Sequence, residues 1–195
     1  MIAIRARSYL PAGNHYKTAS EVIEMLQMGD SHAESSISKF FLQARQLAAI
    51  AVSENSETLL VVSALLFHPC QMLYTGSMLA GDWTIDSLLE TGTYDWMSGN
   101  FGEEVAETIR LQPVAKRFLS TVVPKYFGLL STNAQRSLIA DGGLMNSSER
   151  MVFGKNRFHS NAMKLASWID RGFDRCLEVP EMNFFLPFVE KMLLA

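Results

Sequence analysis

Residues 56–73, SETLLVVSALLFHPCQML, form the longest apolar run in the chain and constrain its fold more than any other stretch. The most apolar part, 59–67, contains Ser63 and falls well short of the roughly 20 apolar residues that a membrane-crossing helix needs. A short segment that is apolar on every side belongs inside a protein, so it predicts a buried core helix with Ser56 as N-cap. Pro69 has no backbone N–H and crowds the preceding turn, which places the expected end or kink of that helix near Phe67. A chain of 195 residues, 48% of them hydrophobic, can wrap such a helix in one compact domain.

Charge narrows the partners. A net charge of -3 and a pI near 5.8 supply no basic face, so nucleic acid is not an expected partner, and no segment is long enough to engage a membrane by spanning it. Arg5 and Arg7 are followed by Leu10-Pro11-Ala12-Gly13-Asn14, which turns polar at once and gives no export signal. The expected location is the cytoplasm, where Cys70 and Cys176 stay as free thiols.

Residues 1–17 show no period and contain Pro11 and Gly13; they read as an irregular leader before a helical domain over 18–195. Thr18-Ala19-Ser20-Glu21 has capping-box spacing and opens a short helix that should stop at Gly29. Ile37, Phe40, Phe41, Ala44, Leu47, Ala48 and Ala51 recur at helical spacing and predict a long helix over 36–52. Further helices are expected over 84–97, from 101 through Leu111, over 131–140, from the capping box Asn146-Ser147-Ser148-Glu149 to about 154, over 160–173 and over 183–194. Pro113 either kinks one of these or opens the next. No alternating strand of useful length appears, so the fold class is all-α.

Three stretches carry a family resemblance: Leu42-Gln43-Ala44 with Leu47-Ala48; Ala64-Leu65-Leu66-Phe67-His68-Pro69-Cys70-Gln71; and Phe101-Gly102, Val105-Ala106-Glu107 and Arg110-Leu111 leading into Ala115-Lys116-Arg117-Phe118-Leu119. Leu130-Ser131, Ser137-Leu138, Gly142-Gly143 and Leu165 with Trp168 and Asp170 extend it across roughly residues 25–185. The pattern resembles the HD-domain superfamily, a single-domain helical bundle, and within it the branch of phosphonate-degrading di-iron oxygenases and their predicted phosphohydrolase relatives.

What the resemblance implies about chemistry is a six-position metal site, because imidazole and carboxylate donors hold transition metals and create a nucleophilic or oxygen-activating centre. In this sequence those positions fall at Phe40, Phe67, His68, Leu88, Gln112 and Ile169. Only His68 is an ordinary metal ligand. With Asp170 taken as the equivalent of the late aspartate in place of Ile169, two ligands result, fewer than the three of a usual catalytic site. The expectation is therefore no metal and no cofactor, with the old site refilled by core packing.

The resemblance also implies that the lysine of the Ala-Lys-Arg motif reaches a phosphonate, and Lys116 keeps that place. Its stem can lie along the core while its ammonium reaches the site, with His68, Gln71, Gln112 and Ser137 as neighbours for a bound anion. His15, His32 and His159 read as surface histidines. Glu103, Glu104 and Glu107 read as a solvated acidic helix start, and Cys70 as a structural thiol.

Two main functions remain open on the sequence. One is a non-catalytic HD-like domain binding a small anionic molecule or a protein partner. The other is a metal-dependent phosphohydrolase or oxygenase with changed ligands, His68, Gln112 and Asp170, or a hydrolase using His68 with Cys70. A homodimer, or a pairing with an active paralogue, would first use the apolar segment 183–194.

Overall fold

The computed structural model describes residues 19–31, 36–75, 92–174 and 177–193, and every regular element among them is a helix. In chain order these are α1 (Ala19–Ser31), α2 (Ser36–Ser53), α3 (Thr58–Thr75), α4 (Thr93–Phe101), α5 (Glu103–Arg110) and α6 (Gln112–Val122), followed by α7 (Tyr126–Leu129), α8 (Thr132–Ala140), α9 (Ser147–Lys155), α10 (His159–Asp170) and α11 (Met182–Met192). None of the described helices is long and apolar enough to cross a membrane. The leader 1–17, Leu88, Cys176, His15 and His32 lie outside the described residues.

The apolar run of the sequence is the axis of the bundle. From Leu59 to Phe67 every residue of α3 is buried, and α2 lays Ala44, Ala48 and Ala51 along the inward face that it packs against α3. Small side chains at spacings of four and three let two helix backbones approach closely, and this pair makes the most extensive helix contact among the described elements. α5, α10 and α11 cover the rest of α3, adding Val105, Ala106, Ile109, Leu165, Trp168, Phe185 and Val189 to one core.

Where the helices stop differs from the expectation in several places; α10, expected to reach residue 173, ends at Asp170. α1 runs through Gly29 to Ser31. α3 does not end at Phe67 but continues through Pro69 to Thr75. A proline inside a helix forfeits its own bond to the carbonyl four residues back and costs about 3 kcal/mol; here Pro69 and Cys70 are buried, and burial in the bundle outweighs that loss. α4 likewise passes Gly99 and Asn100, where Asn100 Nδ2 donates to the Trp96 carbonyl at 2.8 Å, and it closes at Gly102, whose φ of +88° suits only glycine. Pro113 opens α6 rather than kinking a longer helix, since a first-turn proline lacks only an N–H that would be orphaned there anyway.

A second, smaller core joins α6 to α9 and α10 through Leu111, Ala115, Met145, Phe153, Phe158, Ala162 and Ala166. The capping box expected at α9 is formed: Asn146 Oδ1 accepts from the Glu149 amide at 3.0 Å and Glu149 Oε2 accepts from the Asn146 amide at 2.8 Å. Arg117 of α6 fastens this region. Its Nε donates to the Gly143 carbonyl at 2.8 Å and its Nη2 to the Gly142 carbonyl at 3.3 Å and to Glu149 Oε1 at 2.6 Å.

Gly142 is held at φ +105°, and a Cβ there would stand 3.2 Å from the Arg117 guanidinium. Because that guanidinium is pinned by three bonds and cannot swing clear, Gly142→Ala is expected to cost more than about 1 kcal/mol, read as a lower urea midpoint. Gly154→Ala, in a helix with open space around it, is the control and should be neutral or slightly stabilising.

Candidate functional site

The residues singled out by the sequence fall into an aromatic group and a charged group. On α3, the His68 ring stands edge to face with Phe67 (centroids 5.1 Å apart) and with Phe40 of α2 (6.2 Å). Phe67 is 3% exposed, and Ile169 of α10 packs against the same core. Cys70, two residues on from His68, is buried, and burial pushes its thiol far above the ordinary cysteine range. A buried thiol held in its neutral form is a poor nucleophile, in keeping with the structural reading of Cys70.

The charged group gathers on α6, α7 and α10. Lys116 is 9% exposed, and its Nζ faces Asp170 Oδ1 at 3.7 Å, too long for a hydrogen bond. The other oxygen of Asp170, Oδ2, accepts from the Tyr126 hydroxyl at 2.8 Å. Burial raises the Asp170 carboxyl above its ordinary range, opposed by the Lys116 charge and the Tyr126 bond. Burial and the neighbouring carboxylate likewise raise the Tyr126 phenol, which keeps its proton and stays a donor. Ser137 of α8 donates to Asp141 Oδ2 at 3.3 Å, and burial raises Asp141 too, opposed by that bond and by the charges of Lys116 and Arg117. Lys116 therefore faces one carboxylate directly, Asp170, and acts on Asp141 through its charge.

Gln112 lies one helical turn before Lys116, on the same face of α6. It is 2% exposed, and its Nε2 has no hydrogen-bond partner. A buried donor left without a partner costs about 1–3 kcal/mol, so the amide marks a place where a ligand acceptor would be gained. The side chain of Gln71 and the whole of Leu88 lie outside the described residues.

Glu107 departs from the expected solvated face. Glu103 and Glu104 are exposed in the first turn of α5, but Glu107 is 8% exposed one turn later and points inward. Arg110 grips it through Nε at 2.9 Å and Nη2 at 2.7 Å, and the Tyr94 hydroxyl donates to it at 2.9 Å. Burial alone would raise its pKa, yet these bonds win and hold it below the ordinary carboxylate range; the same contact and burial push Tyr94 up to about 12. A carboxyl with a depressed folded pKa stabilises fully above its unfolded pKa and loses that contribution as the pH falls through the folded value. Glu107→Gln is thus expected to flatten the acid limb of stability below the ordinary glutamate range, measured by urea unfolding at a series of acid pH values.

Tyr126 and Asp141 were not singled out by the sequence. Tyr126 lies 44 residues from Asp170 and opens a four-residue helix with no buried residue of its own, so no local period points to it. The one local signal is the turn at Pro124-Lys125 that precedes Tyr126.

The resemblance implies two metal ions, and the donor set tests that. Phe40, Phe67 and Ile169 carry no donor atom, Gln112 offers an amide, and both oxygens of Asp170 already face partners. Among the described residues no group of three histidine, cysteine, aspartate or glutamate side chains comes together where an ion could sit. The described side chains at these positions do not fit a dinuclear centre.

The helical bundle and the signature residues on α3 and α6 define the class: the chain belongs to the phosphonate-dioxygenase branch of the HD-domain superfamily. It is 31% identical over 186 residues to hydroxymethylphosphonate dioxygenase of Gimesia maris, covering 91% of this chain and 90% of that protein. It is 27% identical over 147 residues, 75% of each chain, to the [1-hydroxy-2-(trimethylamino)ethyl]phosphonate dioxygenase (glycine-betaine-forming) of Leisingera caerulea. No family model matches the sequence.

Proposed function

We propose that this chain binds a small organophosphonate at Lys116 and Gln112, the substrate class that both relatives are named for. The observation that carries the reading is a pair of buried donors one turn apart, the Lys116 ammonium loosely paired with Asp170 at 3.7 Å and the Gln112 amide with no partner. A phosphonate oxygen between them would take a charge-assisted bond from one and a neutral bond from the other.

The fate of the bound phosphonate has two readings, each favoured by one observation. Similarity to a dioxygenase along nine-tenths of the chain favours turnover, with His68, Gln112 and Asp170 as a changed ligand set. That comparison weighs more heavily for an enzyme than for a binding domain. The donor-poor positions Phe40, Phe67 and Ile169 favour the other reading, binding by a domain that has lost its metal site.

One experiment separates them. Purified protein is assayed for iron, manganese and zinc, for oxygen uptake with hydroxymethylphosphonate, and for binding of the same compound by calorimetry. Near one metal per chain, lost in His68→Ala, together with oxygen uptake establishes the enzyme. Binding that Lys116→Met abolishes, with no stoichiometric metal and no uptake, establishes the binding domain. Neither binding nor uptake overturns the phosphonate reading altogether.

A further inference from the structure

We propose that Tyr126 is a positioning residue for this site: by occupying one oxygen of Asp170, its hydroxyl keeps the carboxylate from closing on Lys116 and leaves the ammonium's donors open to an incoming anion. The proposal rests on the reading of Lys116 as the anion-binding group.

An ammonium and a carboxylate buried together normally close to about 2.7–2.9 Å, because each is the other's best partner once water is gone. Lys116 and Asp170 are nearly as buried as such a pair can be, with 11% and 6% of their side chains exposed, yet they stand 3.7 Å apart. The close bond to Asp170 comes instead from Tyr126, at 2.8 Å. Anchoring Oδ2 on the phenol fixes the place and tilt of the carboxylate, and in that position its free oxygen Oδ1 lies 3.7 Å from Nζ.

The backbone around Tyr126 is built to hold that bond. Lys125, directly before it, is one of two described non-glycine residues with positive φ, at +67°, a conformation that a side chain with a Cβ adopts only when its surroundings impose it. Gln135 of α8 then ties the short helix down, its Nε2 donating to the carbonyls of Phe127 and Leu130, each at 3.1 Å. Raised by burial and by the Asp170 charge, the phenol keeps its proton and can act only as donor toward the carboxylate.

The test uses the full chain with nitrogen-15 lysine, comparing wild type, Tyr126→Phe, Asp170→Asn and the double variant. Tyr126→Phe removes the hydroxyl and keeps the ring. In the ligand-free protein the Lys116 ammonium protons should exchange with water several-fold more slowly in Tyr126→Phe, because Asp170 then closes on them. The dissociation constant for hydroxymethylphosphonate should rise about fivefold to tenfold, the equivalent of one hydrogen bond. In the Asp170→Asn background, Tyr126→Phe should change neither quantity, which a general loosening of the fold would not reproduce. Unchanged ammonium exchange overturns the proposal, as does an unchanged affinity where wild type binds. If wild type does not bind the phosphonate, the functional reading falls by itself and ammonium exchange still decides the role of Tyr126.

Discussion

Replacing Phe67 with alanine is expected to lower the free energy of unfolding by about 3–5 kcal/mol, the usual range for a core phenylalanine. Phe67 is 3% exposed on the central helix, inside the larger core, and its ring meets the edge of His68. The substitution removes the transfer energy of the ring and leaves a void in the larger core, beside a helix buried at every residue from Leu59 to Phe67. Urea unfolding of wild type and variant gives the difference directly. A loss below about 1 kcal/mol would show that the site relaxes around the ring, contrary to its place in the packing.

The second large effect belongs to the Lys116 and Asp170 pair. Lys116→Met keeps the stem and removes the charge, so Asp170 is left in the interior with Tyr126 as its remaining close partner. Breaking a buried pair from one side costs about 3–5 kcal/mol, because the survivor stays desolvated and loses its counter-charge. Adding Asp170→Asn should recover most of that loss, since two neutral groups of similar shape replace two charges. The check is a double-variant cycle by urea unfolding at neutral pH. A double variant no more stable than Lys116→Met alone would mean that the methylene stem and not the charge pair carries the stabilisation.

These two sites mark how far the sequence could be read. Helices were legible wherever an apolar stripe faced one core, as in α2, or where a cap was written in adjacent residues, as at Asn146 and Glu149. Pro69 does not end α3, because local chemistry at one residue competes with the burial of a whole helix, and the larger quantity decides. Glu107 was not legible as inward-facing for a related reason: three acidic residues in a row of five look alike, and only the approach of Tyr94 from α4 separates the inward one from the two outside. The family was legible because its signature lies in short contiguous stretches. Tyr126 was not, since a contact spanning 44 residues leaves no periodic trace.

Asp170 is the last residue of α10, and helix ends are ordinarily the first parts of a protein to open. Here both sides of that end are fastened to the turn between α2 and α3. The indole Nε1 of buried Trp168 donates to Glu54 Oε2 at 3.0 Å and Arg171 Nη1 donates to Glu54 Oε1 at 2.7 Å, bonds that also hold the Glu54 carboxyl below its ordinary range. The exposed arginine contact adds little alone, but the indole reaches its partner from inside the core. The end of α10 that faces Lys116 is thereby tied to a separate part of the chain, which makes its peeling back, and the entry of water by that route, costlier than at an unpinned helix terminus.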